Sequence, residues 1–261
     1  MFRTFNTIFK REFRSYFYTP LAYVFIGMFV FFMGLVFNSF LQSYLMYTQQ
    51  SQFAASPQIT IDRLAEAFYS QTHVLLLIMI PFFTMRLFTT ESSQNTLSLL
   101  MTSPVKTMDL VLAKFWGAAS IVLIMLAMTL VFPSFLFFFS QEGAQSAGPD
   151  LGIVVSTYIG LVLISLTYVS IGTFWSSVTE SQLIALVFTF FSIFGLTLIS
   201  IWSESTTGVL QQVIKQMSVS EQFTTFAKGS LELKSVVMFL SYIVFFLFLT
   251  NRSIESRSWR A

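Results

Sequence analysis

The chain contains no cysteine, which excludes a disulfide framework, a thiol nucleophile and a thiolate metal site. Histidine occurs once, at His73. One imidazole cannot build a histidine-based metal cluster or a credible Ser/His/acid set. Charge is scarce: Asp, Glu, Lys and Arg make up 10% of the residues, where a soluble domain carries about 25%. No Gly-x-x-x-x-Gly-Lys-Ser/Thr loop occurs, so the chain has no recognisable ATP site of its own. The apolar runs carry no Asp, Glu, Lys or Arg in their interiors, which counts against a proton-driven carrier. Sodium sites built from carbonyls and hydroxyls stay open. No charged ring or filter-like glycine motif points to a channel. Energy for any uphill movement therefore enters from another subunit.

What is present is apolar. The chain of 261 residues is 55% hydrophobic, with 33 phenylalanines and a mean hydropathy of +0.74. Lipid is the solvent for much of this surface. A transmembrane helix needs about 20 mainly apolar residues, and six stretches fit: 21–41, 68–88, 110–139, 151–174, 183–202 and 236–250. The first is too long for a cleavable signal and reads as a retained span. The second starts among Gln71, Thr72 and His73, where a polar ring at the membrane interface is the ordinary reading. The third contains Pro133, which should kink it or mark its outer end. The sixth is short unless Leu231 and Leu233 extend it. The whole chain, 1–261, reads as one all-α integral membrane domain, with a tail at 251–261.

Orientation follows from the basic residues, because cytoplasmic loops are enriched in Lys and Arg. Arg3, Lys10, Arg11, Arg14, Arg86, Lys106, Lys114, Arg252, Arg257 and Arg260 fall on one side; Arg63, Lys215, Lys228 and Lys234 fall on the other. That split of ten against four puts both termini in the cytoplasm, and with them the segment between spans 2 and 3. On the outer side, 42–67 has room for a short helix at 61–67, and 141–150 is a plain loop. Val209, Leu210, Val213, Ile214 and Met217 recur at helical spacing, which predicts an amphipathic helix at the outer leaflet.

Residues 1–19 form a second patterned segment. Phe2, Phe5, Phe9, Phe13 and Tyr16 recur at steps of three or four, and Lys10, Arg11 and Arg14 lie off that stripe. Aromatics beside basic residues suit an interfacial helix on a negative leaflet. It is either a basic anchor that sets topology or a helix that also docks a cytoplasmic partner.

The most informative segment is the polar insert between spans 2 and 3. Arg86 ends span 2 and Glu91 follows about a turn later. Thr96, Leu97, Leu100 and Met101 lie on a short amphipathic helix, and Pro104 ends it and can open the next. Lys114 and Trp116 are expected as interface anchors of span 3. The insert is either a simple turn or a rigid helix along the membrane that passes force to both spans.

The stretch Pro81-Phe-Phe-Thr-Met-Arg86-Leu-Phe-Thr-Thr-Glu91-Ser-Ser-Gln-Asn-Thr96-Leu-Ser-Leu-Leu-Met-Thr-Ser-Pro104, continuing to Leu112-Ala-Lys114-Phe, resembles the permeases of type-2 ABC exporters. Lys10 to Phe17, Ser177 to Ala185 and Gln222 to Gly229 add weaker likeness in the same order. The nearest branch is the gliding-motility-associated ABC permease. Asn95 departs from the pattern, standing where the family usually has glycine; Asn tolerates the left-handed conformation better than most residues.

The resemblance implies six spans, an N-terminal elbow helix, a cytoplasmic coupling helix between spans 2 and 3, and short outer-face helices between spans 5 and 6. It implies that Glu91, Asn95, Thr96, Leu97, Leu100, Met101 and Pro104 form the partner-binding coupling region. Arg86 and Glu91 become a polar hinge at the cytoplasmic gate, and Phe5, Phe9, Lys10, Arg11, Phe13 and Arg14 belong to the elbow. The chain itself needs no cofactor; ATP and magnesium are expected on a partner ATPase subunit. A second permease copy completes the unit, and an outer-face auxiliary protein is a further candidate partner. Membrane lipid surrounds it and nothing points to nucleic acid. The expected function is the permease of an exporter in a bacterial cytoplasmic membrane. The alternatives are a force-transmitting anchor in a gliding or envelope machine and a secondary carrier or channel.

Overall fold

The computed structural model describes residues 2–51, 61–93, 106–140, 150–205 and 208–258. Those residues form eleven α-helices and no strand: α1 (Phe2–Tyr18), α2 (Pro20–Ser51), α3 (Ile61–Thr84), α4 (Thr89–Ser93), α5 (Thr107–Thr129), α6 (Val131–Ser140), α7 (Leu151–Val178), α8 (Gln182–Ser205), α9 (Val209–Met217), α10 (Val219–Ala227) and α11 (Leu233–Ser258). Six segments are long and apolar enough to cross a membrane: Ala22–Ser43, Ala67–Ser93, Thr107–Phe135, Leu151–Val178, Gln182–Ser200 and Leu233–Ser256.

The spans divide into a centre and a rim. Of their most apolar windows, 67%, 50% and 56% are buried in spans 2, 3 and 4, against 17%, 17% and 28% in spans 1, 5 and 6. Span 4, α7, is the hub and packs against α3, α5, α8, α10 and α11. Its buried face is rich in small residues, including Ser156, Gly160, Ser165, Ser170, Gly172, Thr173 and Ser176. In lipid, where helix association relies on close packing, small residues let backbones approach. A Cβ on Gly172 would overlap the Thr84 side chain of α3, and one on Gly160 would lie 2.7 Å from Phe226 Cβ. The hydroxyls of Ser165, Thr167, Ser170 and Thr173 donate back to Val162, Leu163, Thr167 and Ser170 carbonyls of the same helix. Burying them therefore leaves no donor without an acceptor.

Helix ends follow local chemistry. Pro20 opens α2, where its missing N–H costs no intrahelical bond. Span 3 breaks at Leu130, three residues before Pro133, as a proline ring and missing donor require of the preceding turn. Ser218 caps α10 by accepting from Glu221 N–H at 3.3 Å, the first half of a capping box. Gly229, at φ +84°, closes the same helix. Its N–H donates to Phe226 O and that of Ser230 to Thr225 O, the paired bonds of a Schellman end.

Several boundaries differ from the sequence reading. Residues 61–67 are the first turns of α3 and not a separate helix. Span 6 starts at Leu233, and the expected tail continues helically to Ser258. There Thr107 of α5 donates to Glu255 at 3.3 Å. The helix anticipated at 209–217 is α9, and α10 follows it directly.

His73 does not sit at a wet interface. It is 4% exposed, with Nε2 2.6 Å from Tyr168 Oη and its ring stacked on Phe223 at 5.3 Å. The reason is α10, which folds back against α7 and α3 and covers the imidazole. Ser156 and Thr157 of α7 both donate to Phe226 O. That satisfies a carbonyl at the end of the short helix.

Candidate functional site

The insert departs from the chain at a place where span 2 loses its helix. Pro81 lies inside α3 and supplies no N–H. Regular helix stops at Thr84, and residues 85–88 run as turns before α4. Leu87, Phe88 and Thr89 are buried, and buried backbone without helical bonds needs partners from neighbouring elements. Ser176 of α7 provides them: its Oγ accepts from Phe88 N–H at 2.9 Å and Thr89 N–H at 3.4 Å, and donates to Met85 O at 3.3 Å. Gln182, at the start of α8, donates to Thr90 Oγ1 at 3.5 Å.

The Leu87 carbonyl is taken by Lys114 of α5. The ammonium is 2.6 Å from Leu87 O, 2.9 Å from Glu91 Oε1 and 3.2 Å from Glu12 Oε1. It also lies 5.1 Å above the Phe88 ring, a cation–π distance. The lysine side chain is 2% exposed, and Glu12 and Glu91 are 14% and 16% exposed. Three donors meeting three oxygens is the full capacity of a lysine. Arg11 adds a rim contact, with Nη2 3.3 Å from Glu12 and 3.5 Å from Glu91. One buried cation thus joins α1, the base of the insert and span 3.

Helix α1 reaches this cluster because it has two stripes. Phe5, Phe9, Phe13 and Phe17 form a ladder with centroids 6.2, 6.0 and 4.9 Å apart, and Phe17 passes it to Tyr23 of α2 at 5.9 Å. Ile8, Glu12 and Tyr16 recur every four residues on a second stripe. Tyr16 leaves the ladder and donates its hydroxyl to Phe83 O at 3.3 Å. Burial pushes its phenol above the ordinary value; Glu12 adds to this and Arg86 opposes it. Gly117 permits the crossing of α1 over α5, since a Cβ there would stand 3.0 Å from Glu12 Cβ.

A cavity of about 500 Å³ opens beside the cluster, lined by residues of α1, α2, α4, α5, α8 and the end of span 2. Arg86 lines it together with Glu91. Glu91's ion-pair partners among the described residues are Lys114 and Arg11. Lys10, Arg11 and Arg14 are exposed on α1. Asn95, Thr96, Leu97, Leu100, Met101 and Pro104 lie outside the described residues. Among the described residues no group of three or more His, Asp or Glu is placed to hold a metal ion.

Sequence reasoning missed Glu12, Tyr16, Ser176 and Gln182 as site members, and it read Lys114 as an interface anchor. Trp116 is exposed as an anchor would be, whereas Lys114 turns inward. The available signal was the second four-residue stripe of α1, which carries a carboxylate on an otherwise packing face.

Six apolar helices around a packed centre define a multi-pass membrane protein. The family model described as ABC-2 family transporter protein matches residues 6–260, and the chain belongs to that family. It is accordingly a membrane component of transport. No curated protein matches the chain.

Proposed function

We propose that this chain is the permease subunit of an ABC exporter. ATP is bound with magnesium and hydrolysed on a separate cytoplasmic subunit, and the insert at 91–104 is the coupling helix that receives its movement. A dimer of permeases with two ATPase subunits is the working unit. Family membership supports the ATPase partner, and the ten-to-four split of basic residues supports a cytoplasmic insert and termini; the membrane of this reading is a bacterial inner membrane.

The observation that carries the mechanism is the shared lysine. Glu91 at the base of the insert and Glu12 of α1 both hold Lys114 of span 3. A displacement of the insert is therefore felt by α1 and by spans 2 and 3 together. Leu97, Leu100 and Met101 supply the apolar contact with the ATPase. The broken backbone at 85–88, held by Ser176, is where span 2 bends when the insert moves. Arg86 beside it lines the polar cavity at the gate.

Co-purification with an ATP-binding subunit tests the assignment. Leu100→Glu is expected to abolish assembly, and Glu91→Gln to preserve assembly while lowering stimulation of ATP hydrolysis. Wild-type assembly and stimulation in both variants would remove the coupling role.

A further inference from the structure

Two cavities at the insert end share one wall. The inner one, described above, has a volume of about 500 Å³, and the outer one about 580 Å³. Arg11, Ser15 and Thr19 line both, at spacings of four along α1 and into the turn after it. Beyond that ridge the outer chamber holds Lys10, Arg14 and Tyr18. Inside it, the inner chamber holds Arg86 and an aromatic wall that includes Phe25 and Phe82.

The charges are unequal. Lys114 takes up both carboxylates of the inner chamber, Glu12 and Glu91. Arg11, on the ridge, also touches both carboxylates; Lys10, Arg14 and Arg86 flank it, and Arg86 has no carboxylate within ion-pair distance among the described residues. The Thr19 hydroxyl donates to Ser15 O at 3.1 Å, but guanidinium groups beside the Ser15 hydroxyl suit a phosphate oxygen better than any neutral headgroup.

An apolar track leads away from this chamber. Val74, Ile78 and Phe82 recur every four residues along α3, and Arg86 follows in the turns after it. Val74 and Ile78 are exposed, and Phe82 is half-buried in the chamber wall against Phe25 at 5.5 Å. A stripe of this kind on a membrane-length helix accepts an acyl chain while the cation just beyond the helix meets the headgroup.

We infer that the paired chambers bind an anionic phospholipid, with its phosphate at the Arg11–Ser15–Thr19 ridge between Arg14 and Arg86, and one acyl chain along Val74, Ile78 and Phe82. An acidic peptide would match the cations but leave the apolar stripe unused. The inference rests on the permease reading only for which leaflet supplies the lipid. Binding by the isolated chain needs no ATPase, so the two readings fail separately.

The test is native mass spectrometry of the full chain released from detergent, titrated with phosphatidylglycerol, with phosphatidylcholine of the same acyl chains, and with inorganic phosphate. Phosphatidylglycerol is expected to be retained at least fivefold better than phosphatidylcholine. Arg86→Gln and Arg14→Gln should each lower that retention about fivefold, the effect of one basic residue near an anionic surface. Arg14 and Arg86 are both exposed, so neither variant is expected to disturb folding, and R14Q gives a second readout on a different element. Ile78→Trp should weaken lipid retention through the acyl track alone. Equal retention of the two lipids, wild-type behaviour of both arginine variants, or binding of inorganic phosphate without preference for phosphatidylglycerol would overturn the inference.

Discussion

At the end where the insert departs, α1, the base of the insert and span 3 meet through charge: Lys114 stands between Glu12 and Glu91, and a turn of broken helix hangs on Ser176. At the opposite end, α10 is held by neutral contacts. Phe226 presses on Gly160, its carbonyl accepts from Ser156, and Phe223 stacks on a histidine bonded to a tyrosine. The difference is mechanical. A lysine shared by two carboxylates can lengthen one contact and keep the other, so elements can shift without leaving a bare charge. An aromatic ring seated on a glycine has one good position, because packed interiors do not deform continuously. The insert end is joined through shared charge and the opposite end through fixed packing.

Substitutions that exchange these properties should break the contrast. The largest effect is expected from Lys114→Met, which leaves two largely buried carboxylates with only the exposed, longer contacts of Arg11. Removing one partner of a buried ion pair costs about 3–5 kcal/mol. Thermal unfolding of the detergent-purified chain should register it as the steepest loss in this set. Glu12→Gln should cost less, because Glu91 and the Leu87 carbonyl still hold the lysine.

Gly160→Ala comes next. Its new Cβ has no room beside Phe226, and overpacking of this kind costs about 1–3 kcal/mol. The loss should appear as faster hydrogen exchange in α10 with the insert end unchanged. Equal exchange at both ends would mean that the two regions are not separate units.

Ser156→Ala is smaller still. It removes one donor to Phe226 O while Thr157 remains, so about 0.5–1.5 kcal/mol is expected. Arg252→Ala sharpens the comparison from below. Its pair with Glu255 is exposed and spans three residues of one helix. Such pairs contribute about 0–1 kcal/mol, so charge without burial should matter little at either end.

Much of this was legible in the chain itself. The six spans, the α9 helix at 209–217 and the position of the Pro133 break follow from length, periodicity and proline chemistry, which act locally. The site was less legible because its logic is tertiary. Glu91 stood out as a charge in a polar insert. Glu12 was hidden by the aromatic ladder beside it, and only the crossing of α1 over Gly117 brings it to Lys114. Lys114 itself looked like an interface anchor because position in a span indicates depth, not direction. His73 was misjudged for the same reason: nothing near it in sequence announces that α10 returns to cover it. Ser176 is one hydroxyl among many on α7, and its role exists only because span 2 breaks opposite it.

In the proposed mechanism Glu91 passes movement to span 3 through Lys114. The direct measurement is a double-mutant cycle on the assembled complex, reading ATP hydrolysis stimulated by the permease in Glu91→Gln, Lys114→Met and the double variant, with assembly checked in each. If the two residues act through one contact, the double variant loses no more stimulation than the worse single one. Additive losses, with assembly intact, would mean that Glu91 and Lys114 act through separate contacts and that movement does not pass between them.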